Sequence, residues 1–155
     1  MSAVLNYEKY GYKDNFARRS VSSSAVLPGV ALTDEVIARI KEKQNFIALI
    51  DMFARKDFFQ NEDAKITDTT AEAAKAFFTL LIKKVSKLPK IVPDGDGGLL
   101  SVWEKDETTA MLVIDGWNLH LVTHAMTPNA IYYDDRRFNE EEIPTEIYDG
   151  ILQAQ

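Results

Sequence analysis

His120 and His124 are the chain's only histidines, and it has no cysteine. On a helix their four-residue spacing would hold the two Cβ atoms about 6 Å apart, close enough to share a metal ion. The neighbouring residues alternate instead, with Leu119, Leu121 and Thr123 set against His120, Val122 and His124. That is the period of a strand. Four strand residues span about 13 Å, too far for one ion. With no thiolate and no third donor at usable spacing, neither a metal site nor a cofactor is expected.

The stretch Pro93-Asp94-Gly95-Asp96-Gly97-Gly98 offers carboxylates among glycines. A calcium loop of the EF-hand kind needs a ligand at its fifth position, Gly at its sixth and Glu at its twelfth. Counting from Asp94, those positions hold Gly98, Leu99 and Lys105, so the pattern fails. A phosphate cradle needs a helix immediately after the glycines, whereas Leu99 to Glu104 reads as a strand. A turn that launches that strand is the remaining reading. Ser101, His120 and Asp115 supply the residue types of a hydrolytic triad, but no nucleophile-elbow glycines surround Ser101. No catalytic residue is assigned.

Carboxylates cluster at Asp134-Asp135 and Glu140-Glu141-Glu142, interrupted by Arg136-Arg137. Acid–base work needs a desolvated carboxylate, and a polar run of this kind is expected to be solvated. Trp103, Trp117, Tyr132 and Tyr133 fall in the same region. Aromatics rimmed by acids suit a protein interface. These nine residues, four aromatic and five acidic, form the expected partner-binding set.

The charge layout agrees. The net charge is -6, yet residues 91–155 hold only three Lys/Arg against thirteen Asp/Glu. Such a segment repels phosphates, so direct nucleic-acid binding is not expected, whereas a basic protein surface would be attracted. The 155-residue length suits one domain with its own core. No apolar run is long enough for a membrane span, the N-terminal stretch has no signal-peptide core, and the lack of cysteine fits a reducing compartment. A cytoplasmic protein is expected.

Residues 1–31 read as an N-terminal arm, flexible or docked, with Tyr7, Tyr10, Tyr12, Phe16 and a Ser-rich stretch before Pro28-Gly29. A single α+β domain is expected over 32–155. Thr33 caps a first helix with the stripe Val36, Ile37, Ile40, Ile47, Ile50 and Phe53. Thr69-x-x-Glu72 is a capping box for a second helix, striped by Ala74, Phe77, Phe78, Leu81, Val85 and Leu88. Lys83, Lys84 and Lys87 sit at its negative end and Pro89 stops it.

After Gly98 the period becomes two, and three to four strands follow in an antiparallel meander. Asp115-Gly116 is the expected two-residue type I′ turn between the second and third. A short C-terminal helix starts at Pro144 or Thr145. The class is α+β, two N-terminal helices preceding the meander.

One stretch, residues 58–122, resembles a group of small bacterial and mobile-element proteins. They share a helix, a Pro-x-x-x-Pro lead-in, a Gly-Gly turn and a strand ending in Trp-Glu. The matching residues are Thr69–Leu88, Pro89-Lys90-Ile91-Val92-Pro93 and Gly97-Gly98-Leu99-Leu100-Ser101-Val102-Trp103-Glu104. That group carries Trp-Asp-Gly-x-Gly-Ala upstream, where this chain has Phe59-Gln60-Asn61-Glu62-Asp63-Ala64. The resemblance implies a fold and a genomic setting but no reaction.

Charge and resemblance together lead to the expectation of a non-enzymatic protein-binding module, such as a phage or mobile-element inhibitor of a host nucleic-acid-handling or defence protein. A neutralising partner of a basic toxin, a structural or assembly subunit, and a small enzyme using His120 or His124 are the alternatives. Self-association is left open.

Overall fold

The computed structural model describes residues 33–55 and 64–155. The expected arm at 1–31 and the departure at Phe59 to Asp63 lie outside the described residues. The chain divides into two compact units, Met1–Lys41 and Glu42–Gln155.

Helix α1 spans Asp34–Phe53. As expected, Thr33 caps it, its Oγ1 accepting from the Val36 N–H at 3.2 Å. The expected stripe is only partly buried. Val36, Ile37 and Ile40 are exposed, while Phe46, Ile50 and Phe53 form the buried face of the C-terminal half.

Helix α2 spans Asp68–Leu81, and its N-cap is Thr67, whose Oγ1 accepts from the Thr70 N–H. The Thr69–Glu72 capping box therefore does not form, since Thr69 already lies inside the helix. Tertiary contacts select the earlier threonine. The Thr67 N–H donates to the Gly97 carbonyl at 3.0 Å, and Thr70 Oγ1 accepts from the Gly116 N–H at 2.9 Å. The helix also ends well before Pro89. Stopping at Leu81 lets Val85 turn into the core. It also brings the Lys87 carbonyl within 3.2 Å of Trp103 Nε1, which donates to it.

Among the described residues five strands, not three or four, make the sheet: β1 Lys90–Pro93, β2 Leu99–Lys105, β3 Thr108–Asp115, β4 Asn118–Thr123 and β5 Ile131–Arg137. They run as an antiparallel meander in the order β1-β2-β3-β4-β5. The additional strand is the proline-bracketed lead-in. Ile91 pairs with Ser101 and turns inward, and Pro93 ends the strand at the sheet edge, where a missing N–H is tolerated.

The glycine-rich stretch is the β1–β2 hairpin loop. Asp94 Oδ1 accepts from the Asp96 and Gly98 N–H groups at 2.7 and 2.9 Å. The β3–β4 turn is Gly116-Trp117, one residue later than expected, because Asp115 pairs with Asn118. Among these two turn residues positive φ falls only on Gly116, at 57°. One such residue, a glycine in first place, is the II′ rather than the I′ requirement.

Alternation along the strands decides the faces. Leu99, Ser101, Trp103, Ala110, Leu112, Ile114, Leu119, Leu121 and Thr123 are buried, and α2 and α3 (Thr145–Leu152) lie on that side. Helix α3 approaches so closely that a Cβ on Gly150 would stand 2.5 Å from Leu121 Cδ2.

Candidate interaction surface

Strand β5 is a sheet edge, and the acidic candidates lie along it and just beyond. Asp134 and Asp135 sit at an irregularity opposite His120, where pairing shifts between Leu119 and Leu121. Asp135 takes up positive φ (54°) there. Its N–H donates to His120 Nδ1 at 3.2 Å, so the neutral ring carries its proton on Nε2. The Asp134 and Asp135 carboxylates stand 3.7 and 3.9 Å from the imidazole, and both are open to water.

Past β5 the chain turns at Asn139, whose Oδ1 accepts from the Glu141 and Glu142 N–H groups at 2.9 and 3.1 Å. Glu140, Glu141 and Glu142 are all exposed.

The aromatic candidates separate. Trp103 is fully buried and belongs to the core, so it is withdrawn from the partner-binding set. The register puts it on the inward face with Leu99 and Ser101. Tyr133 is half-buried, with the Arg136 guanidinium 6.0 Å from its ring centre. Tyr132 is 65% exposed and pairs with Val122, on the face of the sheet opposite the helices.

Trp117 is the aromatic that joins the acids. It lines a cleft of about 360 Å³ with Arg137, Phe138, Asn139 and Glu140. Its carbonyl accepts from the Phe138 N–H at 2.8 Å, and the two ring centres lie 5.9 Å apart. Phe138 in turn meets Phe77 edge-on at 5.6 Å. The half-exposed indole is thus backed by an aromatic row running into the core.

Sequence reasoning missed Arg137, Phe138 and Asn139 as cleft residues. A turn-forming Asn just before three acids was the available signal. Arg136, which interrupts the acids in sequence, has its Nε 3.6 Å from Glu146 Oε2, and its Nη1 donates to the Asp134 carbonyl.

Chemistry elsewhere finds less support. Ser101 points into the core while His120 lies on the opposite face, so the paper triad of Ser101, His120 and Asp115 does not assemble. His124 occupies the β4–β5 connection at φ 52°. Among the described residues no group of three or more His, Cys, Asp or Glu could hold a metal ion, and no helix is long and apolar enough to cross a membrane. Compared with protein-family models, with curated proteins and with solved structures, the chain finds no match.

Proposed function

We propose that this chain is a non-enzymatic protein-binding module that engages a basic protein through the β5 edge and the turn after it. One observation carries the reading. A cleft walled by a half-exposed tryptophan has exposed Glu140 in its lining, with exposed Glu141 and Glu142 next in the chain and exposed Asp134 and Asp135 on the strand that leads to it. Exposed acids steer a basic surface from a distance, and an aromatic set in a pocket supplies the buried anchor. Rim charges act on the rate of encounter and buried anchors on the rate of escape.

A nucleic-acid-handling or defence protein of a bacterial host is the partner class we favour. Its binding groove is basic, and a row of carboxylates competes for it by imitating phosphates.

The test is capture from bacterial lysate on the immobilised chain, followed by kinetics with the recovered protein. The Debye length falls from about 30 Å at 0.01 M salt to about 8 Å at physiological strength. The on-rate should therefore drop steeply across that range while the off-rate stays nearly level. Reversing the five acids to lysine should flatten the dependence, and Trp117→Ala should raise the off-rate roughly tenfold or more. Binding that ignores both salt and the acid reversals would refute the reading.

A further inference from the structure

We infer that the face of the sheet left open by the described helices is a homodimer interface, in which a second copy packs face to face about a two-fold axis that runs parallel to the strands, above β3 and midway between the two sheets. Among the described residues, α2 and α3 pack on one face. An antiparallel sheet open to water ordinarily presents polar residues outward. Here Leu100, Val102, Met111, Val113 and Val122 point outward half-buried, and Val92 is 49% exposed. An apolar patch spanning four strands, β1 to β4, marks an interaction surface.

The register says what fits it. Lys90, Val102, Met111, Val122 and Tyr132 pair in succession as one row across the sheet. An isologous interface requires a surface complementary to itself. A two-fold axis along the strands lays this row on its own reverse. Met111 then meets the partner's Met111, and Val102 meets the partner's Val122. At both ends the Lys90 ammonium faces the partner's Tyr132, a cation over an aromatic ring. An axis across the strands would instead set Lys90 on the partner's Lys90. The charge at β1 and the ring at β5 therefore choose between the two arrangements.

The sheet edges compete poorly for a second copy. Strand β1 has four residues and ends in proline, and β5 is interrupted beside charged Asp134 and Asp135, both devices that discourage edge pairing.

Strand spacing and rise give a footprint of roughly 24 by 17 Å, about 400 Å² per copy. The total of about 800 Å² lies below the standard size and at the weak, transient end of specific interfaces, so a dimer that forms only at high protein concentration is expected.

Sedimentation equilibrium of the full chain from about 5 to 300 µM tests this, a range set by that footprint. The average mass should climb from 17.5 kDa toward twice that value. Met111→Lys places two ammonium groups on the axis and should leave a monomer throughout, with circular dichroism unchanged because the site is half-exposed. Lys90→Glu and Tyr132→Lys should each weaken association about tenfold, and the two together should restore it. Reversing Glu140 to Glu142 should leave the dimer intact, which separates this face from the acidic turn. A wild-type monomer at every concentration would overturn the inference. So would association that survives Met111→Lys, fails to recover in the double variant, or is lost with the acidic turn.

Discussion

Replacing Thr70 with valine should lower stability by about 2 kcal/mol while leaving the packing volume unchanged. Thr70 has no accessible surface. Its hydroxyl accepts the Gly116 N–H at 2.9 Å and the Thr67 hydroxyl, also at 2.9 Å. A neutral hydrogen bond contributes about 0.5–1.5 kcal/mol net, and a buried group left unpaired costs about 1–3 kcal/mol. For a chain of this size each kcal/mol shifts Tm by about 2–4 °C, so calorimetry should record a fall of about 4–8 °C.

Thr67→Ala removes the helix cap and should cost about 1 kcal/mol. The two changes share the hydroxyl–hydroxyl bond, so the double variant should lose about 0.5–1 kcal/mol less than their sum. Amide exchange gives a second readout, in which the Gly116 N–H should quicken in Thr70→Val more than in Thr67→Ala. A Tm shift under about 1 °C, or Gly116 exchange unchanged, would refute the idea that this threonine holds the hairpin bearing Trp117 to α2.

Gly150→Ala should destabilise despite better helix propensity, because its Cβ would stand 2.5 Å from Leu121 Cδ2 and 2.9 Å from Thr123 Cγ2. Overpacking costs about 1–3 kcal/mol against a propensity gain of about 1 kcal/mol, so a rise in the urea midpoint would contradict the close approach of α3. In the β1–β2 loop, Gly95 and Gly97 share positive φ, at 92° and 91°, but only at Gly97 would a Cβ meet a neighbour, Thr67 Cγ2 at 2.9 Å. Gly95→Ala should cost about 1 kcal/mol from backbone strain alone, and Gly97→Ala measurably more. Equal denaturant midpoints for the two would argue against docking of the loop on the α2 cap.

Much of this architecture is legible in consecutive residues. The alternation of Leu119, Leu121 and Thr123 with His120 and Val122 separates the buried from the open face of β4, as the burial confirms. Thr33 marks the start of α1, and the short C-terminal helix begins at Thr145. These features follow from periods of two and 3.6 and from local capping chemistry, which neighbours along the chain are enough to specify.

Other features depend on residues distant in sequence. The three residues between Pro89 and Pro93 show no period, and Ile91 and Val92 become strand only because β2 offers them a ladder. Thr67 with Thr70, and Thr69 with Glu72, are rival caps of identical spacing. The bonds to Gly97 and Gly116 choose the first. Trp103 and Trp117 look alike as aromatics in a strand region. Pairing of Trp103 with Ala110 turns it into the core, while Trp117, in the turn beyond β3, stands beside the acids that follow β5. Local pattern specifies which residues alternate; register and docking across the fold decide which of them meet.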